Sequence, residues 1–216
     1  MGSSMDNVTR SLTNCIKMQE GLSLNKNYEQ YDGYGNIVYY YKGENEWAVQ
    51  KYRVYNEDEC PIGLIQRTMG ACNCLYTLID ENNIVTNYID VVNNCTLSNY
   101  TFYDANRNIE SVISVKKACC QAIYEEFDNY STRINSAELN QKCCEIPVYY
   151  ESDQNGNPIS KIVKFNIGFR PVVKIFDANG AEINITNKTL VNKGFSRIQL
   201  LIILDELFYH QESSGD

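Results

Sequence analysis

The sequence has one histidine and four prolines among its 216 residues. That histidine, His210, follows the last apolar stretch, whereas the base of a Ser-His-Asp or Cys-His arrangement must lie beside its nucleophile. A Gly-rich phosphate-binding motif is also missing. These absences predict a protein that is not an enzyme, with no catalytic residues, no resident cofactor and no small-molecule substrate.

Positive charge is scarce. The net charge is −8, from 27 acidic and 19 basic residues, and no run of Lys and Arg occurs. Nucleic acids and anionic lipids both attract basic surfaces, so the composition argues against non-specific nucleic-acid binding and against a polybasic grip on a membrane. The first residues lack the pattern of a secretory signal. We therefore expect a cytoplasmic protein, with peripheral attachment to a membrane as an option.

Turn signals recur at an almost constant interval. An Asp or Asn stands at the head of each turn, and successive heads are 24 or 25 residues apart. An isoleucine follows each head by four to six residues. The heads are Asp32, Asn56, Asp80, Asp104, Asp128, Asp153 and Asp177. Such a repeat indicates one structural unit used many times, and Asx turns between apolar segments indicate β-hairpins.

Alternation along the strands supports this interpretation. One row of alternate residues is Ile109, Ser111, Ile113 and Val115. Another is Ile159, Lys161, Val163 and Phe165. A period of two is typical of a strand, and each row is expected to lie on one face of a sheet.

The C-terminal segment has a different pattern. Ser196 is a suitable helix N-cap, and residues 195–210 are apolar on nearly all sides before Asp205. The run is roughly half of the ~20 residues that a membrane span needs, so a buried core helix is favoured over a transmembrane helix. Its core positions are predicted to be Ile198, Leu201, Ile202, Leu204 and Phe208.

Residues 1–26 lie outside the repeat and form an N-terminal arm. Apolar positions in this arm favour a short helix that includes Leu12 and Ile16, along with Val8, Cys15 and Gln19. Residues 27–216 are predicted to form one domain, because no linker-like segment interrupts the repeat.

Repeated D-x-x-G/N-x-x-I hairpins before a short apolar helix resemble the phospholipid scramblase family, within the tubby C-terminal-like (LURP-one-related) group. The similarity covers roughly residues 50–210 and is strongest from Phe176 to Ile183 and from Leu204 to Tyr209. It implies a closed antiparallel β-barrel of about twelve strands around a buried C-terminal helix. Seven turns are one more than six hairpins require.

The resemblance also implies a Ca²⁺ loop after the last hairpin. The corresponding residues are Asp177, Asn179, Glu182 and Asn184. Counted from Asp177, position twelve of an EF-hand-like loop needs a bidentate acid, and Lys188 stands there instead. The alternative is an ordinary Asx turn.

Cysteines recur at the interval of the turns, and this spacing gathers them at one rim of the sheet. They include Cys72, Cys74, Cys119, Cys120, Cys143 and Cys144. Three interpretations are open. They are small buried side chains, or a metal site with poor zinc-knuckle spacing, or sites of palmitoylation, as the resemblance implies.

Two functions follow from these patterns. The resemblance implies a scramblase-like, membrane-associated protein that binds a phospholipid surface, although the sequence provides no lipid path for transport. The alternative is a non-enzymatic structural subunit that contacts protein partners in a larger assembly.

Overall fold

The computed structural model describes residues 16–18, 27–31, 36–46, 49–70, 73–93, 97–118, 121–141, 146–167, 170–183 and 195–212. Fourteen strands and one helix lie in these ranges. The strands are β1 Ile16–Met18, β2 Asn27–Tyr31, β3 Ile37–Glu46, β4 Val49–Asn56, β5 Pro61–Met69, β6 Asn73–Asp80, β7 Val85–Asn93, β8 Leu97–Asp104, β9 Ile109–Ala118, β10 Gln121–Asp128, β11 Arg133–Asn140, β12 Val148–Asp153, β13 Pro158–Ile167 and β14 Arg170–Asp177. The helix is α1 Arg197–Glu212.

Strands β2–β14 form one antiparallel sheet in which each strand pairs with the next along the chain. The short β1 pairs with β2 at three positions and with β14 at one, Lys17 with Val172. The predicted mainly β, antiparallel architecture with an apolar C-terminal helix is confirmed. Closure into a barrel and the count of about twelve strands are not.

Six of the predicted turns share one hydrogen-bond pattern. In each, the side-chain Oδ1 of the head residue accepts bonds from the backbone N–H groups two and four residues later, at 2.8–3.1 Å. The third residue after each head has a positive φ of 58–81°. These residues are Glu59, Asn83, Arg107, Ser131, Gly156 and Gly180. Only two of them are the glycines that this conformation favours.

The turns headed by Asn56 to Asp153 close hairpins between paired strands. The turn at Asp177 ends in a single bridge between Phe176 and Glu182. The head Asp32 lies outside the described residues. The Asp177 turn therefore leads to an isolated bridge and not to a hairpin between two of these strands. This accounts for the one predicted turn beyond the six that six hairpins require.

A β-bulge follows every hairpin turn. The residue six positions after the turn head has no partner on the facing strand. The next residue, seven positions after the head, pairs with the residue two positions before the head. The bulge residues are Val38, Ile62, Thr86, Glu110, Ile134 and Ile159. A bulge re-aims a side chain, and here Ile62 packs against the core although it precedes the buried Gly63.

The bulges correct the predicted alternation. Ser111, Ile113 and Val115 are buried as one row, but Ile109 lies before the bulge and is exposed. On β13, Lys161 is exposed and Ile162 is fully buried, so the predicted row of Ile159, Lys161, Val163 and Phe165 does not mark the inner face.

Helix α1 packs against the sheet. The five predicted core positions are all 0–1% exposed. Phe208 meets the rings of Tyr52 and Tyr76 edge to face, with centroids 5.1 and 5.4 Å away. The hydroxyl groups of Tyr52 and Tyr28 both donate to the backbone carbonyl of Leu207, at 2.8 and 3.4 Å. Buried tyrosines need such partners, and these bonds tie the helix to β2 and β4.

The N-terminal arm is described only at β1. Ile16 lies in that strand, so the predicted helix does not include it. The other positions of the predicted helix lie outside the described residues.

The turns predict a specific mutational pattern. Asp128→Ala removes the acceptor of two backbone N–H groups and is expected to lower the free energy of unfolding by about 1 kcal/mol, or roughly 2–4 °C in Tm. Asp128→Asn keeps the oxygen, as Asn56 does, and is expected to change Tm by less than half as much. Thermal unfolding followed by circular dichroism checks both; equal effects of Ala and Asn would contradict the account.

Candidate functional site

Two ends of the sheet hold the polar groups around α1. The turn end carries the turns that follow β4, β6, β8, β10, β12 and β14, and α1 begins there. The opposite end, which we name the cysteine end, is the one at which β5, β7, β9 and β11 end, and α1 ends there. Each end holds one candidate site.

The first turn of α1 is capped by its own side chains. The Ser196 hydroxyl accepts a bond from the Gln199 N–H at 3.1 Å, and the Gln199 side-chain oxygen accepts one from the Ser196 N–H at 3.2 Å. This reciprocal arrangement is a capping box, and it confirms Ser196 as the N-cap. It also directs the Gln199 amide nitrogen and the Arg197 guanidinium outward to the strands.

Carboxylates on the strands receive these groups. In the repeat, the inward residue two positions before a turn head is apolar at Val54, Leu78, Phe102 and Ile175. Gln30, Glu126 and Glu151 occupy the same repeat position, and each is at most 1% exposed. A buried carboxylate requires partners, so this departure from the repeat marks a polar site.

Arg197 bridges two neighbouring strands. Its guanidinium donates to Glu126 Oε1 at 3.1 Å and to Glu110 Oε2 at 3.2 Å. The other oxygen of Glu126 accepts a bond from Asn135, and Asn87 donates to Glu110. Glu110 reaches the helix because it is a bulge residue, so its side chain points inward although it precedes a buried position.

A second cluster joins Gln199 to β12 and β13. The Gln199 amide donates to Glu151 Oε2 at 3.0 Å and to the Ser160 hydroxyl at 3.1 Å, and Ser160 donates to Glu151. Glu151 Oε1 is buried and has no hydrogen-bond partner within the described residues. Negative charge beside the first turn also suits the positive end of the helix dipole.

A cavity of about 250 Å³ opens beside Arg197 at the turn end. Its polar wall includes Glu110 and Glu126, and its apolar wall includes Phe102 and Phe195. The cavity therefore combines paired charges with aromatic surface, a combination suited to holding one amphipathic side chain or a ligand of that size.

The cysteine end holds a cavity of about 340 Å³. Arg67, Cys74, Tyr100 and Asp205 line it, and the Lys117 ammonium lies 3.9 Å from the Asp205 carboxylate. Burial, followed by the charge of Asp205, raises the pKa of the Tyr100 phenol above its usual value. Burial also raises the pKa of the Cys74 thiol, while the hydrogen bond with Arg67 acts in the opposite direction.

The structure describes two cysteines. Cys74 is buried, and Cys60 is exposed in a turn at the opposite end. The other lipidation candidates, Cys72, Cys119, Cys120, Cys143 and Cys144, lie outside the described residues. Their positions along the chain are in the connections of the cysteine end.

The predicted Ca²⁺ residues have other contacts. Asp177 Oδ1 accepts bonds from the N–H groups of Asn179 and Ala181, and Glu182 pairs with Lys174 at 3.0 Å. Asn184 lies outside the described residues. Within the described ranges, the structure holds no group of three or more His, Cys, Asp or Glu side chains suited to a metal ion.

A scan of the sequence against protein-family models finds no match, and a search of curated proteins finds no similar chain. The part of the chain with a described structure contains no helix of sufficient length and apolarity to cross a membrane.

The sequence analysis missed Glu110, Glu126, Glu151, Arg197 and Gln199. Aligning the repeats by their turn heads reveals Glu126 and Glu151, because both replace apolar residues. Glu110 can be identified as an inward residue only when the position of the bulge is known. Arg197 and Gln199 were assigned only to the start of an apolar helix.

Removal of Arg197 tests the buried pair. Arg197→Met leaves Glu126 buried without its cation and is expected to lower the free energy of unfolding by about 2–4 kcal/mol. This loss is smaller than for a fully buried ion pair, because Arg197 is partly exposed and solvent screens its charge. The double variant Arg197→Met with Glu126→Leu copies the apolar repeat position and is expected to recover most of this loss. Chemical denaturation measures both; a double variant that is as unstable as the single one would contradict the account.

Cysteine reactivity follows from exposure and pKa. A raised thiol pKa lowers the reactive thiolate fraction at a given pH, so Cys74 is expected to alkylate at least tenfold more slowly than Cys60 at pH 8. Iodoacetamide labelling of the native protein, followed by peptide mass spectrometry, measures the ratio. Equal labelling of the two sites in folded protein would contradict the buried position of Cys74.

Proposed function

We propose that this chain is a scramblase-like barrel protein that attaches to a phospholipid surface through its cysteine end and does not carry lipid through its interior. The observation that carries the proposal is the position of exposed apolar side chains. Among the described residues, four of the eight large ones lie at the cysteine end: Met69, Val92, Ile123 and Ile146. Exposed apolar surface beside candidate acylation sites is suited to a membrane interface.

We also infer that the sheet closes into a barrel through β1. This strand pairs with β2 on one side and with β14 on the other. Strands from β2 to β13 contact α1, so the two edges of the sheet lie on either side of the same helix. This arrangement agrees with the barrel and central helix that the resemblance implies.

The filled interior supports attachment without transport. Ile198, Leu201 and Phe208 are almost fully buried, and Tyr52 fixes the helix by a hydrogen bond. A lipid could pass through this space only if α1 left it, which would expose the whole core. A role at the membrane surface needs no such rearrangement.

Charge supports the same orientation. Lys116 and Lys117 are exposed at the cysteine end, whereas acidic turn heads such as Asp80, Asp104 and Asp128 lie at the other end. Anionic lipid attracts the first end and repels the second. A few exposed lysines give a weak attraction, so acylation of cysteines would supply most of the affinity.

A second candidate function is favoured by a different observation. The turn end combines many carboxylates with exposed Ile84, Ile109 and Tyr130. Such a surface suits a non-enzymatic subunit that contacts protein partners in a larger assembly.

Liposome flotation tests the first proposal. Protein from a eukaryotic host fed with alkyne-palmitate is expected to carry the label and to float with anionic vesicles. Cys119→Ser with Cys120→Ser is expected to reduce both signals severalfold, whereas Cys60→Ser, at the opposite end, is not. Ile146→Ser is expected to reduce flotation, and Ile84→Ser at the turn end is its matched control.

Absence of label together with absence of flotation would overturn the proposal. Equal losses from Ile146→Ser and Ile84→Ser would also overturn it, because the effect would not belong to one end. Flotation that requires Ca²⁺ would instead assign the lipid contact to the loop that begins at Asp177.

A further inference from the structure

We propose that the turn end binds a basic, amphipathic segment of a protein partner, in which Lys or Arg residues alternate with apolar ones. This inference rests on the second candidate function and names the surface and the chemistry of the partner. It is independent of the cysteine end.

Acidic side chains crowd the turn end. They lie on the turns themselves and project beyond the strands. They are Glu57, Asp58, Glu59, Asp80, Glu81, Asp104, Asp128, Asp153 and Asp177. The net charge of the chain is −8, so much of the excess negative charge is gathered at this one end. Such a field attracts and orients a cationic partner.

Two arginines near the turns have partners on the outer face of the sheet, and Lys42 lies 3.9 Å from Glu59, one of these acids. Arg107 lies over the ring of Tyr88, 3.5 Å from its centroid, and its guanidinium is 4.0 Å from Asp90. Arg133 lies 3.8 Å from Glu125 on the neighbouring strand. Both side chains therefore turn back along the outer face of the sheet.

The turn geometry holds the head carboxylates in place. Each Asp head accepts two backbone N–H bonds through one oxygen, which holds the side chain in place. Bonds from the Asn157 side chain and backbone lower the pKa of Asp153. The acidic groups are thus a fixed array, and binding a cation loses little side-chain entropy.

Apolar side chains lie among the acids. Ile84, Ile109 and Tyr130 belong to three successive hairpins and are 60%, 48% and 83% exposed. The inner faces of the same hairpins line the 250 Å³ cavity beside Phe195. A solvent-exposed apolar rim around a cavity is typical of an interaction site.

Charge complementarity decides the occupant. Anionic lipid and nucleic acid are repelled by this end, and an acidic partner is excluded for the same reason. A segment with alternating Lys and Leu is complementary to both the acidic and the apolar side chains of the turn end. Its apolar side chains cover Ile84 and Tyr130, and its cations pair with the turn carboxylates. The cavity beside Glu110 accommodates one long side chain with a charged tip.

Fluorescence anisotropy with a labelled Lys/Leu peptide tests the proposal on the full chain, and a Glu/Leu peptide of equal length is the control ligand. The test variant is Glu81→Gln, Asp104→Asn, Asp128→Asn, which keeps the turn acceptors. The matched variant removes equal charge elsewhere, by Glu44→Gln, Glu125→Gln, Glu138→Gln. Thermal unfolding confirms that both variants fold.

The Lys/Leu peptide is expected to bind the wild type, and the Glu/Leu peptide is not. The test variant is expected to raise Kd at least tenfold and the matched variant less than twofold. Ile84→Ser with Tyr130→Ser is expected to raise Kd at least threefold, whereas Val92→Ser with Tyr150→Ser is not. A higher salt concentration is expected to weaken binding.

No binding of the Lys/Leu peptide would overturn the inference. Equal weakening by the two charge variants would also overturn it, since attraction would then follow net charge alone. Flotation depends on Ile146 and the cysteines, and peptide binding depends on the turn end, so failure of one proposal is distinguishable from failure of the other.

Discussion

Burial of one apolar helix is the constraint on which the rest of this structure depends. Helix α1 has buried residues on nearly all sides, including Ile198, Leu201, Leu204 and Phe208. A helix of this kind needs apolar neighbours in every direction, and a single layer of strands provides them only if it curls around the helix. The sheet of β2–β14 packs on the helix, and the phenols of Tyr28 and Tyr52 donate to a helix carbonyl.

The helix is fixed in rotation and depth by exceptions to the repeat. Three hairpins place an apolar residue inward two positions before the turn head, whereas the other three place Gln30, Glu126 and Glu151 there, and a bulge adds Glu110. These carboxylates meet Arg197 and Gln199 at the capped start of α1. The same exceptions make the two ends of the molecule different, and the proposed roles are based on this difference. The cysteine end, with its exposed apolar side chains, is proposed to attach to a membrane, and the acidic turn end is proposed to bind a basic partner.

The sequence predicted features whose chemistry is local. An Asx side chain that bonds its own backbone can be identified from a few residues, and an apolar run capped by Ser196 indicates a buried helix without knowledge of the sheet. The bulges were not predictable in this way, because an unpaired residue is defined by the register of two strands, and so Ile109 was assigned to the wrong face. The pairing of Arg197 with Glu126 spans 71 residues and depends on how the sheet curls, which no local pattern encodes.

Hydrogen exchange of the α1 backbone amides tests the central claim most directly. If the sheet holds the helix as its core, amides from Leu201 to Phe208 exchange only through global unfolding, with the same free energy as the central strands β6–β10. The account predicts this equality under native conditions. Exchange of the helix amides at a much lower free energy than those strands would mean that α1 leaves the sheet on its own, and it would contradict the account.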